Sequence, residues 1–248
     1  MKKLNILSIA VLIYIGQLIL TSNCYAVTTK EYFDQGISEG QQGNLTEAIS
    51  DFSKAIEIDP DFPNVYFNRG LAYYKQGNFD QAIEDYTKAI KVRPSDPVNY
   101  NNRGNALDGQ GNFDQAILDY TKAIQLSPKY ADAYNNRGFD YTKEYNFSQA
   151  ISDLNKAIEL DPSHVTAYVN RGIAYAKQRD FTQAISDLDK AIALDPSYGK
   201  AYSNRAVVYY HLNDYSKAWA DVHKADELGV EVNQMFVERL MQSMGIGG

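Results

Sequence analysis

The chain is poor in the residues that most often carry chemistry. Its 248 residues include one cysteine, Cys24, and this lies in an N-terminal segment expected to be removed. A disulfide framework, a thiolate metal site and a cysteine nucleophile are then excluded for the remainder. The three histidines, His164, His211 and His223, have no metal-ligand spacing. No Gly-rich phosphate loop, nucleophile elbow or isolated acid pair appears. The expectation is a protein that is not an enzyme, with no metal, no cofactor and no evident small-molecule substrate. Basic patches are missing as well. The formal net charge is -7, with the charges interspersed, so the electrostatic footprint of a nucleic-acid binder is absent and the charge reads as a solvated surface.

Long apolar runs are absent, with one exception. Leu4 to Leu20 is almost wholly apolar after Lys2 and Lys3, and Thr21-Ser22-Asn23-Cys24-Tyr25-Ala26 follows. That is the three-part pattern of a secretory signal peptide over residues 1–26, with cleavage after Ala26. The alternative is a retained membrane anchor, because the run comes close to spanning length. Cys24 invites a lipoprotein reading, but Thr21-Ser22-Asn23 is a poor match to the usual lipidation box. Cleavage removes two lysines and no acid, so the exported chain would be more negative still. Export without disulfides requires stability from packing alone, which stacked repeats can supply.

What is present is repetition. Asn68-Arg69-Gly70 recurs as Asn102-Arg103-Gly104, Asn136-Arg137-Gly138, Asn170-Arg171-Gly172 and, with alanine for glycine, Asn204-Arg205-Ala206. The period is 34 residues, which overrides the one or two compact domains that length alone would suggest. Repeats run at about 29–62, 63–96, 97–130, 131–164, 165–198 and 199–232. The first is degenerate in its first half, as expected of an end unit with one unpaired face.

Each repeat reads as two helices. Ala82, Ile83, Tyr86, Ala89 and Ile90 share one helical face. Thr46, Asp80, Asp114, Ser148, Thr182 and Ser216 precede the apolar runs and read as N-caps. Gly77 and Gly111 mark the turn before them. Pro60, Pro94, Pro128, Pro162 and Pro196 stop each second helix. Gly70 and Ala82 are small enough for the two helices of a hairpin to approach closely. A final helix over residues 233–244, carrying Met235, Phe236, Val237, Leu240 and Met241, keeps the register and reads as a cap.

The pattern Tyr66…Gly70…Tyr73…Gly77…Ala82…Tyr86…Ala89…Pro94 resembles the tetratricopeptide repeat, and the resemblance covers residues 29–232. It implies an all-α, right-handed superhelical solenoid of six helix hairpins. First helices would line a concave groove and second helices the convex back. It also implies a scaffold that binds peptides or proteins in the groove.

Arg69, Arg103, Arg137, Arg171 and Arg205 look at first like a ladder for an acidic ligand. The aspartates Asp51, Asp85, Asp119, Asp153, Asp187 and Asp221 recur at the same period, each 18 residues before an arginine once Arg239 is included. Pairing within a repeat, Arg69 to Asp85, leaves Arg239 without a partner. The 18-residue spacing therefore predicts ion pairs between a second helix and the next first helix, with the arginine fork meeting a carboxylate.

Asn68, Asn102, Asn136, Asn170 and Asn204 are the candidate partner-binding residues. Asparagine is a mediocre helix former that both donates and accepts. In the family this position lies on the concave surface, where amides can bond an extended peptide's backbone. The alternative is an inter-helix hydrogen bond copied with the repeat. Tyr74 and Phe139 are added as apolar groove residues. Neighbouring groove positions mix amides with apolar side chains (Asn101, Asn105 and Asp108; Asn135 and Thr142; Val169, Ile173 and Lys177), which suits a neutral extended peptide or a partner's helix. A carboxylate clamp is not expected, since Lys200 is the only lysine at the matching helix starts of repeats two to six. Asn44-Leu45-Thr46 and Asn146-Phe147-Ser148 match a glycosylation acceptor only weakly.

The resulting expectation is an exported, periplasmic or secreted, scaffold for a protein or peptide partner. The alternative is a membrane-anchored assembly factor of an envelope or secretion complex acting through its convex face.

Overall fold

The computed structural model describes residues 27–246. Those residues form thirteen α-helices and no strand. They fall into two compact units, the first ending at Gln76 and the second beginning at Gly77. The N-terminal segment 1–26, with the proposed signal peptide and Cys24, lies outside the described residues. Among those described, no helix is long and apolar enough to cross a membrane.

The first unit holds α1 (Thr29–Gln42), α2 (Leu45–Ile58) and α3 (Val65–Lys75). Helix α1 starts at a capping box, in which Thr28 accepts from the Glu31 amide while the Glu31 carboxylate accepts from the Thr28 amide. Ala48, Phe52, Ala55 and Val65 form the core, closed by Phe33 and Phe62.

The second unit holds α4 (Phe79–Val92), α5 (Pro97–Gly109), α6 (Phe113–Leu126), α7 (Ala131–Lys143), α8 (Phe147–Leu160), α9 (Val165–Lys177), α10 (Phe181–Leu194), α11 (Gly199–His211), α12 (Tyr215–Glu227) and α13 (Gln234–Ser243). Its core includes three small clusters along the array. Each is built on fully buried alanines such as Ala150, Ala157, Ala184 and Ala191. The C-terminal helix α13 buries Leu240 against Ala206, Ala218 and Val222.

Small residues do let paired helices approach. A Cβ on Gly104 would stand 2.6 Å from Tyr120, and one on Gly138 would stand 2.8 Å from Leu154. Where the repeat has Ala206 instead, the facing residue shrinks to Val222, and both are buried. Volume lost on one helix is thus taken up on the other.

The caps differ from expectation. The second helices start two residues earlier than the serines, threonines and aspartates suggested. Asn44, Asn78, Asn112, Asn146, Asp180 and Asp214 are the N-caps, and only Asp180 and Asp214 accept a backbone amide there. Thr46, Asp80, Asp114, Ser148, Thr182 and Ser216 sit in the first turn instead. A carboxylate there, as at Asp80 and Asp114, meets the positive end of the helix dipole.

The residue before each N-cap is left-handed in every repeat. It is glycine at Gly43, Gly77 and Gly111, but Tyr145, Arg179 and Asn213 at φ +61° to +66° in the last three. A side chain there costs about 1–2 kcal/mol relative to an unstrained backbone.

Candidate functional site

The arginines form an interlocked structure, but with different partners from the predicted ones. Arg103 donates from Nε and Nη2 to both oxygens of Asp119, each at 2.7 Å. Arg137–Asp153, Arg171–Asp187 and Arg205–Asp221 repeat this fork. All four pairs lie within one hairpin, 16 residues apart. No arginine is seen paired at the predicted 18-residue spacing among the described residues: Asp221 is taken by Arg205, and in the first unit Asp51 pairs with Lys54 at 3.0 Å. The glycine contact explains the 16-residue spacing. Gly104 packs on Tyr120, so their chain neighbours Arg103 and Asp119 lie at the same level of the hairpin.

The arginine does reach the preceding repeat, through its remaining Nη1. That nitrogen donates to Thr87 from Arg103, to Thr121 from Arg137, to Asn155 from Arg171 and to Asp189 from Arg205. Arg69 donates likewise to Ser53 in the first unit. One side chain therefore ties three helices. Hydrogen bonds to Asp119, Asp187 and Asp221 hold the Arg103, Arg171 and Arg205 guanidinium groups above their ordinary pKa against the opposing effect of burial. With all three guanidinium nitrogens engaged by the protein's own side chains, these arginines are not a ligand ladder.

The five asparagines are half-buried on the first helices and divide into two groups. Asn68, Asn102 and Asn204 each donate to the carbonyl one turn earlier in their own helix, at Asn64, Val98 and Lys200. Their side-chain oxygens have no donor among the described residues. Asn136 and Asn170 are tied to neighbouring repeats. Asn136 donates to Asn101 and Asn105, and Asn170 donates to Asn135. Asn101 and Asn135 are buried and serve this network. Val169 and Thr142, placed in the groove from sequence, are buried too.

Between consecutive first helices lies a slot whose positions recur with the repeat. In the first unit it is a cavity of about 300 Å³ lined by Gly36, Ile37, Gly40, Gln41, Leu45, Phe52, Asn68, Leu71, Ala72 and Lys75. Four repeat lengths on, the matching ten residues line a cavity of about 490 Å³ between α9 and α11, Ile173, Asn204 and Val207 among them, and Arg179 joins them. Both cavities are mainly apolar, and each contains one ladder asparagine.

The equivalent slot between α5 and α7 is occupied by the protein's own side chains. Tyr120 and Asn136 both donate to Asn105. Lys143 pairs with Asp108 and, at 3.2 Å, with Asp140. Its ammonium lies 4.3 Å from the centre of the Phe139 ring and 4.6 Å from that of Phe113. Phe139 is therefore covered rather than open. Asp140 is 1% exposed, and its Oδ2 has no hydrogen-bond partner. Burial, reinforced by Asp108, pushes its carboxyl up to about 8. No group of three or more metal-ligating side chains occurs among the described residues.

Family models of the tetratricopeptide repeat match residues 63–96, 99–130, 165–198 and 188–220, and a TPR repeat model matches 39–77 and 140–179. The chain is a tetratricopeptide repeat protein. A comparison with curated proteins finds no match. Among solved structures it is similar to a chain of the APC/C hetero-tetramer Cut9–Hcn1, with a TM-score of 0.77 and 21% identity. That match covers 92% of this chain and 45% of the other. A tetratricopeptide repeat protein from Parabacteroides merdae gives a TM-score of 0.73 at 21% identity, over 88% and 87% of the two chains. YrrB, described as having an unusual peptide-binding site, gives 0.56 at 22%, over 75% and 94%. At these identities the likeness concerns the fold.

Within this tetratricopeptide array, sequence reading marked the asparagines and missed the slots. One signal was available. Asp140 stands where repeats two, three, five and six carry Ala72, Ala106, Ala174 and Val208. A carboxylate at a buried alanine position announces a local departure from the repeat.

Proposed function

We infer that this tetratricopeptide protein is a scaffold that binds a partner protein or an extended peptide along the face of its first helices. One observation carries the reading. The same slot is an open, mainly apolar cavity in two places, and each time it borders an asparagine whose side-chain oxygen is available to accept a peptide N–H. Apolar pockets for alternate side chains beside backbone-bonding groups suit recognition of an extended chain. The peptide-binding site named for YrrB and the protein assembly named for Cut9–Hcn1 are in keeping with this role. Export follows from the signal-like segment 1–26, and N-terminal sequencing of the purified protein would find Val27 first; a chain beginning at Met1 overturns export by cleavage.

A photo-crosslinking residue tests the binding face. Placed at Val207, it should capture a partner in the producing cells. Placed at Leu118, exposed on second helix α6, it should not. Capture from Leu118 alone would sink the reading and favour an assembly factor working through the second helices.

A further inference from the structure

The cavity between α9 and α11 has a more basic lining than its relative in the first unit, where Lys75 is the one basic residue. Its floor is apolar, from Ile173, Ala176, Leu188, Val207 and Val208. Its rim is basic: Lys177, Arg179 and His211 line it, and no acidic residue does. In a chain with 31 acidic and 24 basic residues this is a reversal of local sign. A smaller cavity of about 190 Å³ shares Val207 and His211, adds Arg239, and again includes no acid.

These cations are not held by carboxylates, although the Lys177 ammonium also lies 5.3 Å from the centre of the Tyr145 ring. Arg103, Arg137, Arg171 and Arg205 each hold an aspartate, whereas Lys177, Arg179 and Arg239 have no carboxylate partner among the described residues. Arg179 is also held in the left-handed region, at φ +66°, where the first three repeats have glycine. Its backbone is strained, and the side chain so presented borders the cavity. The first-unit cavity has glycine at that turn, with Gln41 and Lys75 in place of Lys177 and His211.

An apolar hollow rimmed by unpaired cations is complementary to an apolar side chain with a carboxylate beside it. Such an occupant fills the floor and neutralises the rim, whereas a basic segment would meet like charge. Resting on the groove reading above, we propose that the slot of repeats five and six takes an extended partner segment in which a large aliphatic residue is flanked by an acidic side chain. The aliphatic group enters between Ile173 and Val207, and the acid meets Lys177 and Arg179.

Three amidated, acetylated octapeptides test this by fluorescence anisotropy: a central leucine flanked by glutamates, by glutamines or by lysines. The glutamate peptide should bind at least tenfold more tightly than the lysine peptide, and the preference should shrink as salt rises. Arg179→Gly removes a cation while relieving backbone strain, so folding does not confound it. It should cut the glutamate preference about fivefold and leave the glutamine peptide unchanged. Equal binding of all three peptides, an unchanged preference in Arg179→Gly, or no binding by any peptide overturns the proposal. So does binding only when the amide cap is replaced by a free carboxyl terminus. Val207→Trp fills the hollow and separates the two readings. If it abolishes binding that shows no charge preference, the groove reading stands and the acidic assignment falls. If peptides bind undiminished to Val207→Trp, both fall.

Discussion

The slot between α5 and α7 and the slot between α9 and α11 occupy equivalent positions in the same repeat, yet one is plugged and the other is open. The arginine locks beside them are alike: Arg137 forks onto Asp153 as Arg205 forks onto Asp221. The contents differ. Asn105, Asp108, Asp140 and Lys143 fill the first with polar contacts, whereas Ile173, Ala176, Val208 and His211 stand at the matching positions of the second. A repeat lattice thus separates two tasks. Residues that recur hold the hairpins together, and residues that break the recurrence decide where a surface is available to a partner.

The largest expected effect tests whether the lock is common to both regions. Arg137→Ala leaves Asp153, only 7% exposed, without its guanidinium, and removes the tie to Thr121. Breaking one side of such a pair costs about 3 kcal/mol. Arg205→Ala should cost a similar amount at Asp221. Chemical denaturation monitored by circular dichroism measures both. If Arg137→Ala proves silent while Arg205→Ala does not, the plug, rather than the lock, carries the join at repeats three and four.

The next effect acts on the plug. The Asp140 carboxyl is raised to about 8 by burial and by Asp108. Between about pH 4, where it titrates in the unfolded chain, and about pH 8, the folded state keeps a proton that the unfolded state has released. Stability attributable to this group is therefore highest at the acid end and falls as pH rises through that window. Asp140→Ala installs the residue found at Ala72, Ala106 and Ala174, and Lys143 keeps Asp108 as partner. The variant's stability relative to the parent should rise by about 1–2 kcal/mol between about pH 6.5 and about pH 8. A stability gap that does not change with pH would show that Asp140 does not titrate in that window.

The architecture was legible because recurrence averages out local ambiguity. Six copies of one pattern located the hairpins, the glycine contacts and the stopping prolines. Pairing was less legible. Counting partners favoured an 18-residue spacing because it supplied Arg239 with an aspartate, while the level set by Gly104 against Tyr120 fixes 16. The arginine's attachment to the preceding repeat was anticipated, but its partners there are Thr87, Thr121, Asn155 and Asp189. The asparagine ladder looks uniform in sequence. The structure divides it because Asn101, Asn105 and Asn135 are present in repeats three and four and absent from the others. Cavities are harder to anticipate, since they depend on several side chains being small or apolar at once.

The smallest effect sharpens the contrast at the turns. Tyr145 and Arg179 occupy the same left-handed position, one repeat apart. Glycine at either site relieves about 1–2 kcal/mol of strain but loses about 0.5–1 kcal/mol to the greater freedom of the unfolded chain. Tyr145 also has a local partner, since the Lys177 ammonium lies 5.3 Å from its ring centre, a contact worth about 0.5 kcal/mol at an exposed site. Arg179 has no such partner within the described chain. Arg179→Gly should therefore raise stability by about 0.5 kcal/mol, while Tyr145→Gly should be close to neutral. Urea midpoints resolve the difference. If Arg179→Gly destabilises the protein, the arginine is held by the fold itself, and its strained turn would no longer point to a ligand at the rim of the open slot.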